Sequence, residues 1–496
     1  IGMAKKYILA IDQGTTSSRA ILFDADFRML GAAQEEFKQY FPKDGWVEHD
    51  PEEIWASTLG SCKEVLKKNS ISAEHVEAIG ITNQRETTII WDKDTGRPIY
   101  NAIVWQDRRT ASFCEDLKGE GLESLVNEKT GLVLDPYFSA TKIKWILDNV
   151  EGARAKADSG NLLFGNVDSF LLWRLTGGKS HKTDITNASR TMLFNIYTQS
   201  WDSELLSLFK IPKSVLPTVH DCVHDFGVSK KEFFSRSIPV LGIAGDQHAA
   251  LAGQSCFEPG MMKSTFGTGC FVMSNTGSKP VQSKNKLLTT VAYRLDGQIS
   301  YGLEGSIFVA GAAVQWLRDK VHLISSAEKT EIMARRASPD HGLYLIPAFT
   351  GLGAPYWDPN ARGALLGLTR DTSDDDIVRA TLESVSLQCR DLMQCMIRDG
   401  APLTRLRVDG GMVKNSWLVQ NLADVLQLSV DRPNIIETTA LGVAYFAAMG
   451  ANLVSGTEQI AEKWELDQQF SPSIHPDLAD ELYLGWVKAV KRTLSN

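Results

Sequence analysis

Tyr7-Ile-Leu-Ala-Ile-Asp12-Gln-Gly14-Thr15-Thr16-Ser17-Ser-Arg19-Ala-Ile-Leu-Phe23 is the stretch on which the fold reading turns. Two β-rich apolar runs, Tyr7 to Ile11 and Ala20 to Phe23, flank a polar turn of Gly, Thr and Ser. That pattern marks strand, turn, strand. The first strand ends on the Asp12 carboxylate, which suits a Mg²⁺ directly or through water, while backbone N–H groups and hydroxyls of the turn suit phosphate oxygens. Arg19 adds a planar cation matched to phosphate. An ordinary polar hairpin has the same spacing, so the turn alone leaves both readings open.

Working outward, Val76 to Ile81 and Thr87 to Trp91 repeat the strand form around Thr82-Asn-Gln-Arg-Glu86. From Ile377 to Ile397, Val378, Leu382, Val385, Cys389, Leu392 and Met396 step by fours and threes, which predicts a helix with one buried stripe. A second helix is expected from Val413 to Gln427, with Leu418, Leu422, Val425 and Leu426 on one side. Strands alternating with helices give an α/β class. The opening turn also has an echo in Thr265-Phe-Gly-Thr268-Gly269, where Thr268 lies 253 positions after Thr15, about half the chain. Two similar halves would each bring a Gly-Thr turn to one nucleotide, although two short turns also match by chance.

At roughly 150 residues per domain, 496 residues make about three domains or two large ones. Apolar residues at 43% and charged residues at 23% exclude disorder and collagen. No apolar run reaches the roughly 18 residues of a membrane span. The longest, Ala440 to Ala451, is interrupted by glycines. Ile1-Gly2 ahead of Met3 reads as a cloning remnant and is left out of the fold reasoning; with no signal-like segment behind it, a cytoplasmic location is expected. Seven scattered cysteines without a CxxC pair argue for free thiols in a reducing compartment. A net charge of −8 disfavours a nucleic-acid-coating surface, but not a small anion in a local cradle.

Other motifs carry weaker signals. In Gly242-Ile-Ala-Gly245-Asp246-Gln247-His248 a carboxylate leaves an apolar run through glycines, either as a helix cap or as the group that takes a hydroxyl proton in phosphoryl transfer. Arg85-Glu86, Trp105 and Tyr137, if brought together, would make a polar pocket with an aromatic wall, suited to a polyol. Arg407-Val-Asp-Gly-Gly411-Met-Val-Lys-Asn415 places two glycines between a strand and a helix, where Gly411 would let a flat base approach and Asn415 would bond it. Gly177-Gly-Lys-Ser180 is a decoy: the phosphate-loop pattern needs a Gly where Trp173 stands. HExxH, GxGxxG and GxSxG are absent.

Together these stretches resemble the FGGY family of carbohydrate kinases, within the actin-like ATPase superfamily. The matching segments are Asp12 to Arg19, Gly80 to Thr87, Pro136 to Lys142, Thr186-Asn-Ala-Ser-Arg190, Gly245-Asp-Gln247, Phe266 to Phe271, Gln315 to Asp319, Gly351 to Asp358 and Asp409-Gly-Gly411, spread over essentially the whole chain. The resemblance implies two ribonuclease H-like domains, 3–254 and 255–496, with Mg²⁺ and ATP in a cleft between them. It further implies ATP-dependent phosphorylation of glycerol to sn-glycerol 3-phosphate, in glycerol catabolism. By the same resemblance Arg85, Glu86, Tyr137, Asp246 and Gln247 contact the glycerol hydroxyls, Trp105 and Phe271 pack its carbon edge, and Asp246 is the general base. Thr15, Thr16, Ser17, Arg19 and Thr268 match the phosphate segments, Gly311, Gln315, Gly411 and Asn415 the remaining nucleotide contacts, and Asp12 the metal position. Members commonly form homodimers or homotetramers.

The sequence departs from the family pattern at His248, usually Gln, and at Phe266, usually Tyr. Neither position is assigned to the chemistry. A pentulose or sugar-acid kinase and an actin-like nucleotide-binding module remain the rival readings. Some family members carry a Gly- and Arg-rich loop ahead of the Gly-Asp-Gln segment that binds fructose 1,6-bisphosphate, and others a phosphorylatable His-Phe-Tyr element. Here Gly227 to Pro239 has neither: Glu232-Phe-Phe234 stands where the histidine element would be, and Lys230, Lys231 and Arg236 read as isolated exposed cations.

Overall fold

In a computed structural model that describes residues 4–496, Tyr7–Gln13 and Ser17–Asp24 pair antiparallel, with Asp12 opposite Arg19. Each strand extends past its apolar run because polar residues at the turn continue the ladder. The reading of Ile1-Gly2 lies outside the described residues. Met29–Glu36 adds antiparallel on the outer side, while Val76–Asn83 and Val240–Gly245 add in parallel on the other. The resulting five-stranded sheet has the order Val240–Gly245, Val76–Asn83, Tyr7–Gln13, Ser17–Asp24, Met29–Glu36.

Strand alternation decides what covers this sheet. Leu9, Ile11, Ile79, Ile81 and Ile243 share a core with Ile54 and Val65 of the helix Pro51–Lys68. That helix has Pro51 in its first turn, an Asp50 cap accepting from the Glu52 N–H, and Lys67 and Lys68 at its C-terminal end, each placed as the helix dipole favours. The intervening positions Gly80 and Gly242 face the other way, against the backbone of the helix Thr438–Gly450. Ala440 to Ala448 of that helix are all buried, so the longest apolar run is apolar on every side because it is covered on every side. Among the described residues, no helix is long and apolar enough to cross a membrane.

The chain folds as two units. The first is the described chain up to Ser255 with Thr289–Tyr301 and Thr438–Lys463; the second is Cys256–Leu288, Gly302–Glu437 and Trp464–Asn496. Two late segments therefore return to the first unit, which a single cut at 254/255 does not express. The second unit's sheet sets Val430–Pro433, Arg405–Asp409, Met261–Phe266, Cys270–Gly277 and Gln298–Ile307 side by side, with Leu466–Phe470 beyond Val430–Pro433. Arg405–Asp409 lies parallel both to Val430–Pro433 and to Met261–Phe266, and Met261–Phe266 pairs antiparallel with Cys270–Gly277. In this seven-stranded sheet the five strands from Val430–Pro433 to Gln298–Ile307 repeat the strand order of the first unit, with Gly267-Thr268-Gly269 at the turn where the first unit has Gly14-Thr15-Thr16.

The long predicted helix is Asp374–Arg398, begun by a capping box between Ser373 and Asp376, and its six stripe residues are all buried. The second predicted helix starts three residues late, at Ser416. A 3₁₀ turn, Gly411–Lys414, precedes it, and the Asn415 side chain caps it by accepting the Leu418 N–H. The decoy at Gly177 is a helix end: Val167–Leu175 stops, Gly177 and Gly178 take φ values of 64° and 81°, and the Gly178 N–H returns to the Trp173 carbonyl at 2.8 Å. None of the seven cysteines is in a disulfide, and all are buried. Two of the three cations near residue 230 are not isolated. Lys230 pairs with Glu232, and Arg236 donates to the carbonyls of Ala73, Glu74 and Val76.

Candidate functional site

In the first unit the phosphate-like turn closes through a hydrogen bond from the Gly14 N–H to the Ser17 carbonyl, 2.9 Å. Thr16 is exposed and Thr15 half-buried, whereas Ser17 is buried and its hydroxyl accepts from Gln34 Nε2 at 3.0 Å. Asp12 and Arg19, paired in register, approach to 3.9 Å. A buried polar network holds the turn from below. Gln39 Nε2 donates to the Thr15 carbonyl (3.0 Å), and Gln84 Nε2 lies within bonding distance of Gln13 Oε1 (3.0 Å) and the Gly14 carbonyl (3.2 Å). His49 joins the two glutamines through Nε2 to Gln39 Oε1 (2.6 Å) and Nδ1 to Gln84 Nε2 (3.3 Å). Burial pulls its pKa down to about 4, so the ring is neutral, with Nε2–H donating and Nδ1 accepting.

Beside the turn, the Val76–Asn83 strand runs into Gln84 to Thr87, where Glu86 takes a left-handed backbone with φ 63°. A non-glycine residue held in that region stores strain, as functional loops often do. Arg85 Nε lies 3.1 Å from Asp246 Oδ1 and 3.7 Å from Glu86 Oε2, and Arg85 Nη2 reaches the Tyr137 hydroxyl at 3.4 Å. Gly245 permits this arrangement, because a Cβ there would sit 2.7 Å from Arg85 Cγ. Asp246 opens the helix Asp246–Gly253, its Oδ1 accepting from the Gln247 N–H at 2.8 Å, with the carboxylate at the positive end of the helix dipole. Arg85 and Glu86 side chains are 2% exposed and Asp246 is 32% exposed, so Asp246 is the accessible carboxylate of this group.

Trp105 connects the two halves of this site. Its Nε1–H donates to Thr15 Oγ1 at 2.9 Å, its backbone N–H to Thr87 Oγ1 at 3.2 Å, and its ring meets Tyr137 edge-on with centroids 5.8 Å apart. Arg85, Glu86, Trp105, Tyr137, Asp246 and Thr15, separated widely in sequence, thus meet in one unit.

Two residues with no role assigned from the sequence complete the site. Lys142, fully buried, donates to three successive carbonyls, those of Pro136, Tyr137 (2.8 Å) and Phe138 (3.1 Å), and so fixes the segment that presents Tyr137. Burial lowers its pKa to about 8. Arg190 Nε donates to Glu86 Oε2 at 2.8 Å, with its guanidinium over the rings of Tyr137 and Phe138. Both lie in segments that resemble the family, but their partners are visible only once the chain is folded.

In the second unit, the Gly267 N–H closes onto the Gly269 carbonyl at 2.8 Å, leaving Thr268 exposed at the tip of the turn. The Thr268 carbonyl accepts the Ala310 and Ala312 N–H groups (2.9 and 3.0 Å), and the Gly267 carbonyl accepts that of Gly311 (2.9 Å). The start of the helix Gly311–Asp319 is therefore docked on the turn, with Gln315 exposed one turn on. A Cβ on Gly311 would stand 3.7 Å from Met412 Sδ, while one on Gly411 would meet nothing within 4 Å. Thr268, Gly311 and Gly411 are thus neighbours, and Gly411 faces open space. Asn415 is engaged as a helix cap, and its Nδ2 lies 3.3 Å from Thr330 Oγ1. Phe271 lies half-buried on Cys270–Gly277. Among the described residues, no three His, Cys, Asp or Glu side chains cluster as a metal cage.

Residues 7–253 match the N-terminal domain of the FGGY family of carbohydrate kinases, and residues 262–451 match its C-terminal domain. Glycerol kinase 1 of Pseudomonas aeruginosa is 60% identical over 489 residues, covering 99% of each chain. The glycerol kinase of a Marinomonas species is 61% identical over 486 residues, covering 98% of each. Among solved structures, Plasmodium falciparum glycerol kinase with ADP matches at a TM-score of 0.94 and 36% identity over 99% of both chains. A gluconate kinase from Lactobacillus acidophilus matches at 0.88 and 22% identity over 98% of each, a likeness of fold alone.

Proposed function

The chain belongs to the FGGY family of carbohydrate kinases, and from that premise we propose that it transfers the γ-phosphoryl group of ATP to glycerol, giving sn-glycerol 3-phosphate. Full-length similarity to proteins named glycerol kinase supports this acceptor. The observation that carries the reading is the meeting of Arg85, Glu86, Tyr137 and Asp246 against Trp105, whose indole N–H is bonded to the Thr15 hydroxyl. A polyol needs hydroxyl partners and an apolar edge, and its reacting oxygen needs a phosphate site alongside. This group of residues offers all three.

In this reading Asp246, with Gln247 beside it, takes the proton of the attacking hydroxyl, while Arg85 and Glu86 hold the other hydroxyls. Trp105 and Phe271 line the carbon edge. Thr15, Thr16, Ser17, Arg19 and Thr268 receive the phosphates, and Gly311, Gln315, Gly411 and Asn415 the rest of the nucleotide. We assign the glycerol site and the first phosphate segment to the N-terminal domain and the adenosine site to the C-terminal one. Phosphoryl transfer asks little covalent work of a protein, so alignment and charge stabilisation dominate. Asp12 fits Mg²⁺ that arrives with ATP: a single carboxylate beside a phosphate turn, without a cage, is what an ion retaining its waters and phosphate ligands requires. When bound, Mg²⁺ supplies charge neutralisation on the phosphates. We place the enzyme in the cytoplasm, which suits seven cysteines outside any disulfide, and take it to be a homodimer or homotetramer, to be read by sedimentation.

The test is ADP release against a panel of glycerol, pentuloses and sugar acids. Glycerol should be preferred by kcat/KM. Preference for a pentulose or sugar acid would move the chain elsewhere within the family.

A further inference from the structure

The segment Thr186-Asn-Ala-Ser-Arg190 resembles the family but has no contact role in the assignment above. It is built on Asp184, whose fully buried carboxylate caps the short helix Ile185–Ala188. Asp184 Oδ2 accepts the Thr186 N–H (2.9 Å) and the Thr186 hydroxyl (2.6 Å), and Oδ1 accepts from the backbone (3.2 Å) and side-chain (2.8 Å) nitrogens of Asn187. Because the Thr186 hydroxyl directs its one proton at Asp184, its oxygen serves other neighbours only as an acceptor. That oxygen accepts the N–H of Gly245 at 3.0 Å, and Gly245 caps the helix that begins with Asp246. Asn187 exchanges amide hydrogen bonds with Asn83 (3.0 and 3.1 Å), the last residue of the strand leading to Arg85 and Glu86. At the far end of the segment, Arg190 Nε holds Glu86 Oε2 at 2.8 Å, with both side chains at most 2% exposed.

One buried piece thus bonds the backbone ahead of Asp246, the strand ahead of Arg85, and the carboxylate of Glu86. We infer that Asp184 to Arg190 is a positioning element that fixes Glu86 and Asp246 relative to one another, so that one acceptor hydroxyl is held while another is deprotonated. This rests on the proposed acceptor site. Outer-shell partners of this kind typically change affinity or activity 10- to 100-fold when removed, and misplacement by about 1 Å costs on the order of 100-fold.

The test compares Thr186→Ser with Thr186→Val in steady-state assays on glycerol and ATP, on protein verified as folded by its melting curve. Serine keeps the oxygen between Asp184 and Gly245, and valine deletes it at nearly the same shape. We expect Thr186→Ser within threefold of the parent in kcat, and Thr186→Val lower by about 10- to 100-fold with its KM for ATP within twofold. A folded Thr186→Val with parental kcat, or serine and valine variants equally impaired, overturns the inference. Should Thr186→Val not fold, Arg190→Lys decides: it keeps the charge and loses the planar donor, so the KM for glycerol should rise about tenfold or more with ATP affinity unchanged, and a parental KM overturns the inference. A parent enzyme inactive on glycerol sinks the acceptor reading itself, an outcome distinct from an active parent whose variants are unaffected.

Discussion

At the scale of single residues, Asp246 and Trp105 carry the most specific expectations. Asp246→Asn keeps the shape of the side chain and an oxygen for the Gln247 N–H, but removes the carboxylate proposed as the base. It should bind glycerol nearly as the parent does and lose about 10²- to 10⁴-fold in kcat, measured by calorimetry and initial rates. Turnover within twofold of the parent would strip Asp246 of the role. Trp105→Phe keeps a smaller aromatic wall and deletes the N–H bonded to Thr15. A lost neutral hydrogen bond of this kind is worth about 1 kcal/mol, so KM for ATP should rise roughly fivefold while the ranking of acceptors holds. If acceptor ranking changes and ATP affinity does not, the indole bond is not what orders the turn. The run from Asp12 to Arg19 was legible in the sequence as the turn of an antiparallel strand pair, because its pattern is contiguous. Arg190 and Lys142 were not, because a basic residue inside a helical or turn segment has no sequence signal for a partner such as Glu86, 104 positions away.

Elements tell a similar story with other physics. The helix Asp374–Arg398 was readable from its stripe alone, since burial along one face imposes the period. The helix after Asn415 was read three residues too early, because apolar Val413 continues the pattern while the Asn415 cap, a local hydrogen bond, sets the true start. The longer helix also carries a testable pH dependence. Asp391, nine-tenths buried or more, accepts hydrogen bonds from Trp486 Nε1 (2.8 Å) and Tyr483 (2.7 Å) of the C-terminal helix Pro476–Lys491, and from Tyr356 (3.1 Å). Burial pushes its carboxyl up to about 6 from 3.8, against the opposing pull of those donors. A carboxyl with a raised folded-state pKa contributes stability that is full below its unfolded value and lost as pH climbs through about 6. Relative to Asp391→Asn, the parent should therefore lose up to about 3 kcal/mol between about pH 4 and pH 7 in chemical denaturation. A pH-independent difference would contradict this. The segment Gly227 to Pro239 supports a simpler expectation. With Lys230 paired to Glu232 and Arg236 tied to three carbonyls, millimolar fructose 1,6-bisphosphate at low salt should leave the initial rate unchanged. Marked inhibition would refute that.

On the scale of the whole molecule, the Gly-Thr echo proved to be more than a coincidence of short turns, because each unit sets its strands in the same order around one such turn. Sequence pattern could not reveal that Thr438–Lys463 folds with the first unit. An apolar helix advertises that it will be buried, but the side chains that select its sheet are small ones, and glycines such as Gly80 and Gly242 leave no periodic trace. The chain is proposed to act as a kinase rather than a slow nucleotide hydrolase, because Arg85, Asp246 and Trp105, the residues proposed to hold the acceptor, lie beside the turn at Thr15. The most direct measurement is the stoichiometry of ADP to sn-glycerol 3-phosphate, the latter assayed by a stereospecific dehydrogenase, with glycerol present and omitted. One sn-glycerol 3-phosphate should form for each ADP, and ADP formation should fall to a small residue when glycerol is left out. ADP released at the same rate without glycerol, or without matching sn-glycerol 3-phosphate, would contradict the kinase reading.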